Sequence, residues 1–309
     1  MPEETGDAKK VGAGILKLIG VVAAVVSLTL GIREIVTLLK ESAARKSKAA
    51  ELCMEARGLA SSGAYSQALQ FVSQAAELAP EYRYVQVEIS LAWLRNARLS
   101  SVGGESSFGE IVQKLLPVLY REIDTTRRVY SATILAHIGW ADFLLFKEGD
   151  RSIDIDAQFK RALSLDSTNL YAHAMYGFWM LYPWHAGGSL DAANEQFAAA
   201  LRGGEDTLYV RHLMIAAYRN ASDLKYAAQT IKLANEMRMN HESLDLADRQ
   251  NILAYAYFLY RDQIMGAVAK VLTPEEHLET FLYLADGADE ELQPFIRDAR
   301  MKLQKAVKS

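Results

Sequence analysis

The chain has 309 residues, half of them hydrophobic, with only 19 glycines and 6 prolines, a composition that points to helices in one or two ordinary cores. A single cysteine excludes an internal disulfide framework or a cysteine-built zinc site. The net charge of −4 divides into eight Lys/Arg against five Asp/Glu over residues 1–48 and 26 against 33, or −7, over residues 49–309; an acidic body argues against nucleic acid, whose binding needs basic side chains to neutralise phosphates.

In chain order, residues 1–10 form a short polar N-terminus, and residues 11–39 read as one transmembrane helix. Leu18–Ile32 carries no charge but spans only about 22 Å of helix. Lys17 and Arg33 extend it by snorkelling, and Ile35, Val36, Leu38 and Leu39 continue the apolar run towards the roughly 30 Å that a bilayer core requires. Cleavage as a signal peptide is disfavoured, because Ser42-Ala43-Ala44 lies far beyond the apolar run and basic residues follow it. Lys9, Lys10 and Lys17 flank one side; Arg33, Lys40, Arg45, Lys46 and Lys48 flank the other, so the positive-inside rule places the body in the cytoplasm. Gly20, Ala24, Ser27 and Gly31 share one helix face, a packing face for a homodimer.

Residues 40–48 continue as a basic helical stalk. In residues 49–82, Leu52 and Ala56 fall on the packing face of a first helix, Gly63 and Tyr65 on a turn, Ala68 and Ala75 on a second helix, and Pro80 at its end. Residues 83–135 are helical with less regular spacing: Val85, Ile89, Ala92 and Trp93 form an amphipathic stripe, Ser100–Ser107 is a Gly/Ser loop, and Pro117 is expected to kink the helix after it. Further helix pairs are expected at 136–173, 174–207 and 208–241. In the last two, Ala193, Phe197 and Ala200 are followed 34 positions later by Ala227, Ile231 and Ala234. Residues 242–309 supply terminal helices, with Thr273-Pro274-Glu275-Glu276 as a helix start and another helix near Gln293.

Small residues at the turn and on the second helix, at a 34-residue period, resemble the tetratricopeptide repeat (TPR) family over about half of the chain. The resemblance implies an all-α, right-handed TPR-like helical solenoid of antiparallel helix pairs, a binding surface rather than a catalytic pocket. Carried over by register, its concave groove is lined by His137, Trp140, Phe178, Tyr182, His185, Tyr209, His212, Arg219 and Asn220. Trp140, Phe178 and His212 stand where repeats that grip a peptide carboxylate place Lys or Asn. An aromatic groove instead suits an extended or helical peptide with apolar side chains.

The sequence holds no phosphate-binding glycine loop, metal-spaced motif or nucleophile elbow, and no cofactor is expected. His137, His173 and His185 raise the alternative of a metal or hydrolase centre, although no Asp or Glu lies one helical turn from His173 or His185. The favoured reading treats Ala136-His137 and Ala172-His173 as repeat-equivalent packing positions. Phe178, Trp179, Tyr182, Trp184 and His185 are expected to share one helix. The expectation is a non-catalytic scaffold or adaptor for a protein or peptide, anchored by a single pass, in keeping with a bacterial inner-membrane protein. The second alternative is an assembly factor that oligomerises through its membrane helix.

Overall fold

Every element among the described residues is helical: thirteen α-helices, one 3-10 turn and no strand. The computed structural model describes residues 7–97, 108–183, 185, 187–220, 224–244, 246–261, 271–287 and 292–306. Side chains are described from residue 34 onward, apart from 108, 219–220, 224–225, 246–248, 251 and 261 within those ranges. The chain divides into two compact units, Met1–Asn96 and Ala97–Ser309. The boundary falls inside residues 83–135, which the sequence suggested as one divergent repeat.

The first unit is built on α1 (Asp7–Ser61), a single helix of 55 residues and about 82 Å in length. The expected membrane segment, stalk and first repeat helix are therefore one continuous element. No glycine or proline interrupts residues 32–57, which leaves nothing to break the hydrogen-bond ladder there. The character of α1 changes along its length. Ile35, Val36, Leu38 and Leu39 are exposed, whereas Ala49, Cys53 and Ala56 are buried against α2 (Tyr65–Leu78). The α1–α2 turn places Gly63 at φ +84°, a left-handed conformation that a Cβ would strain. Ala68, Val72 and Ala75 of α2 are fully buried, and these short side chains let the two backbones approach closely. Pro80 opens the 3-10 turn Pro80–Tyr82, and α3 (Arg83–Asn96) adds Val85 and Ile89 to the same core.

The second unit runs from α4 to α13. α4 (Phe108–Arg121) continues through Pro117, and the Glu148 carboxylate accepts the Gly109 backbone N–H at 2.7 Å in its first turn. Three helix pairs follow: α5 (Arg128–Lys147) with α6 (Ile155–Leu165), α7 (Leu170–Met180) with α8 (Leu190–Leu201), and α9 (Thr207–Asn220) with α10 (Leu224–Met239). The first helices also pack on one another in order, α5 on α7 and α7 on α9. Asp154, Asn169 and Ser189 cap α6, α7 and α8, each accepting a backbone N–H in the first turn.

Two contacts show that successive pairs are built alike. A Cβ on Gly139 of α5 would lie 2.9 Å from the ring of Phe159 on α6, and one on Gly177 of α7 would lie 3.0 Å from the ring of Phe197 on α8. In both pairs a glycine admits a phenylalanine from the paired helix, at equivalent positions 38 residues apart. That spacing makes Met175, and not His173, the counterpart of His137. A second recurrent device joins helix starts to helix ends. Arg128, at the start of α5, donates to the carbonyls of Ser164 and Leu165 at the end of α6. Arg249, near the start of α11 (Leu246–Arg261), donates in the same way to Tyr283 and Leu284 at the end of α12 (Pro274–Leu284). Both pairs are thereby antiparallel, and residues 242–309 contain a further pair rather than end helices alone. The expected capping box is present, with Thr273 and Glu276 bonding reciprocally at the start of α12. α13 (Gln293–Ala306) packs on α12 through a face that buries Ile296 and Ala299.

α5 is long and apolar enough to cross a membrane, with a mean hydropathy of 1.4 over its apolar window. Most of that window is buried within the unit, and from Ser131 to Leu144 only Thr133 is more than slightly exposed. Its apolarity is that of a central core helix.

Candidate functional site

The nine groove residues do not form one open surface. Trp140 is 0% exposed and Phe178 6%, so both are core side chains in this structure and neither is available as a surface anchor. They meet Phe143 in a three-ring cluster, Trp140 edge-on to Phe178 with centroids 5.1 Å apart and Phe143 5.4 Å from Phe178. Tyr182 joins through Phe143 at 5.0 Å and stacks on Trp179 at 5.9 Å, and it remains half-exposed. Such edge-to-face arrangements stabilise by roughly 0.5–1.5 kcal/mol per pair beyond area burial.

A second line of rings runs from the middle of α5 across the starts of α7 and α9. His137, fully buried, lies 5.0 Å from Tyr171, which lies 5.7 Å from Tyr209. The Nδ1 of His137 is 2.7 Å from the Thr133 carbonyl, one helical turn back. Tyr209 and His212 are buried on α9. The side chains of Arg219 and Asn220 lie outside the described residues, as do those of Gly20, Ala24, Ser27 and Gly31, the expected transmembrane packing face.

His185 meets the first cluster only at its edge, with its ring 5.2 Å from that of Trp179. The expectation of one helix through Phe178 and His185 fails at Met180, where α7 ends before Pro183. A proline there supplies no N–H to continue the ladder and restricts the residue before it. His185 therefore sits in the α7–α8 connection, held over the first turn of α6. There Asp156 accepts Trp179 Nε1–H at 2.8 Å and Lys160 Nζ at 2.9 Å, with Tyr176 Oη at 3.3 Å and His185 Nε2 at 3.2 Å. Burial pushes the Asp156 carboxyl up, but hydrogen bonds from Lys160 and Trp179, with the charges of His185 and Lys160, bring it below the ordinary carboxylate range. Gly188 completes the knot: a Cβ there would meet the Met180 carbonyl oxygen at 1.9 Å. Asp156 supplies the carboxylate that no helical spacing around His185 predicted, and it arrives from 29 residues away, on α6.

The three histidines of the metal alternative are engaged separately. His137 bonds within α5, His185 meets Asp156, and His173 bridges Gln196 Oε1 at 2.7 Å and the Ser167 carbonyl at 2.9 Å. Among the described residues no group of three His, Cys, Asp or Glu side chains is placed to hold a metal ion.

An accessible concave feature lies elsewhere among the described residues. A cleft of about 480 Å³ lies beside the ring line, lined by Val129 and Thr133 of α5 and Tyr171 of α7. The α6–α7 turn, residues 166–169, also lines it, as do Ala199, Arg202 and Glu205. The turn is fixed locally: Asp166 accepts the Thr168 backbone N–H at 3.0 Å and its hydroxyl at 2.8 Å, and Asn169 caps α7 while donating to Thr133 Oγ1 at 3.0 Å. Val129 is 66% exposed, so the cleft offers apolar surface beside the charges of Arg202 and Glu205. Its volume is within the usual range for binding pockets. The Asp166–Asn169 turn and the Gly203-Gly204 pair are the sequence signals at its rim, but neither indicates that the ends of three helices converge there.

No family model, no curated protein and no solved structure matches the chain. The functional reading therefore rests on the residues and their geometry.

Proposed function

We propose that the chain is a membrane-anchored adaptor of the tetratricopeptide type, which holds a protein or peptide partner at a membrane surface and catalyses no reaction. In this reading residues 11–39 are the single transmembrane pass, the body is cytoplasmic, and a bacterial inner membrane is the site. The observation that carries it is the serial construction of the second unit. Antiparallel pairs repeat the same glycine–phenylalanine contact and the same arginine-to-helix-end bonds, which is how stacked repeats bury a continuous core while leaving their edges free.

The burial of Trp140 and Phe178 moves the proposed contact surface from the aromatic face to the cleft around Val129, Tyr171 and Arg202. A partner peptide would set an apolar side chain on Val129 and place a carboxylate beside Arg202, which makes no ion pair among the described residues. A photo-reactive amino acid at Val129, in the full chain expressed in cells, tests this. A discrete adduct that disappears with Arg202→Glu is expected. Absence of any adduct at Val129, with one forming at a distant exposed position such as Met239, would move the partner site away from the cleft.

A further inference from the structure

The sequence divides residues 11–61 into anchor, stalk and repeat, but in the structure they belong to one helix. Four large apolar side chains on that helix face solvent: Ile35 is 58% exposed, Val36 43%, Leu38 56% and Leu39 64%. At 100° per residue these four cover close to half of the helix circumference, too wide for a stripe that docks on one neighbouring helix. Immediately C-terminal, residues 40–48 carry Lys40, Arg45, Lys46 and Lys48 against Glu41 alone, a balance of +3. Lys46 bridges Glu81 at 2.9 Å and Lys48 bridges Glu51 at 3.2 Å, while Lys40 and Arg45 make no ion pair among the described residues. Burial against the repeat begins only at Ala49.

We infer that residues 35–48 form a lipid–water boundary element seated on an anionic leaflet, and that the unbroken α1 holds the first repeat at a fixed height above it. The inference rests on the anchoring reading and adds its partner, the anionic headgroup. The broad apolar face at residues 35–39 has an exposure suited to acyl chains. The next four residues rise about 6 Å, the depth of a headgroup layer. Lys40 lies within that layer, and the long side chain of Arg45 reaches back to it. Ala49 then stands about 15 Å beyond Leu39, clear of the headgroups by about one Debye length at physiological salt. The basic collar is thus attracted at contact range. With no glycine or proline between residues 32 and 57, no hinge lets the repeat fold down onto the bilayer.

The test uses the full chain in vesicles of phosphatidylcholine, with and without phosphatidylglycerol, in a Cys53→Ala background. A fluorescent label is placed at one site at a time, through Leu39→Cys, Ala44→Cys or Met54→Cys, and is quenched by lipids spin-labelled in the acyl chain or on the headgroup. Quenching by acyl-chain labels is expected at residue 39, by headgroup labels at 44, and by neither at 54. Phosphatidylglycerol should increase headgroup quenching at 44, and Lys40→Gln with Arg45→Gln should abolish that increase. Three outcomes overturn the inference: equal quenching at 54 and 44, which means a bent helix; an unquenched label at 39 on vesicle-bound protein, which means cover by protein rather than lipid; or no response to phosphatidylglycerol. Protein that fails to float with the vesicles overturns the anchoring reading itself and is a distinct result.

Discussion

At the scale of single residues, the second unit depends on places where a side chain must be absent. Gly177 admits the Phe197 ring and also approaches the Ala193 carbonyl oxygen, which a Cβ would meet at 3.1 Å. Backbone cannot retreat as a flexible side chain can. Gly177→Ala is therefore expected to destabilise the unit by about 1–3 kcal/mol in chemical denaturation, the usual range for overpacking. Gly203→Ala, at a position with nothing within 4 Å, should leave stability within about 0.5 kcal/mol. A second residue-scale effect concerns Asp142, buried in the middle of α5. Burial pushes its carboxyl up to about 7, and the nearby Asp150 charge adds to that. The unfolded chain ionises near the ordinary carboxylate value, about 3.9, while the folded chain still holds the proton. Stability from the protonated form is thus complete below about pH 4 and is lost as pH rises to about 7. Asp142→Asn should show a stability gain that grows through that window and is flat above it. Urea midpoints measured across pH check the sign, and a gain confined to acid would reverse it.

At the scale of elements, the contacts that shape the site join helices through polar side chains as well as core packing. Asp156 holds the α7–α8 connection over α6, so Asp156→Ala leaves the part-buried indole N–H of Trp179 without its acceptor. A loss of about 1–3 kcal/mol is expected. Amide hydrogen exchange should accelerate at His185 and Gly187–Ser189 while α5 stays protected; unchanged exchange there would show that the knot does not hold the connection. Such contacts also mark where sequence reading stops. Leu52, Ala56, Ala68 and Ala75 were legible because helical periodicity fixes which face is buried, and small residues on that face mark close approach. Thr273 and Glu276 were legible because a capping box is local in sequence. Asp156 with His185, and Gly139 with Phe159, pair residues from different elements. No local spacing encodes which residues will meet across a helix interface. The groove residues illustrate the same limit from the other side. Trp140 and Phe178, assigned to a groove by repeat register, lie on α5 and α7 and are buried, because whether a helix face is open or sealed depends on what packs over it.

For the whole molecule, helix content and antiparallel pairing follow from composition and turn chemistry, while the continuity of α1 was hidden by its changing character. The apolar run, the basic collar and the small-residue packing face read as separate segments because their side-chain character differs. Backbone hydrogen bonding is indifferent to that change, and with no glycine or proline over residues 32–57 one helix runs through the joins between all three. The consequence is mechanical: in the proposed reading, anchor and repeat move as one body. Anchoring also raises the effective concentration of the cleft for any partner confined to the same membrane, with no additional contact. The most direct measurement of that account is alkaline carbonate extraction of membranes from cells expressing the full chain. An integral single-pass anchor predicts that the protein stays in the membrane pellet, together with a known membrane-spanning control. Recovery of the protein in the supernatant, with the control still pelleted, would contradict the account.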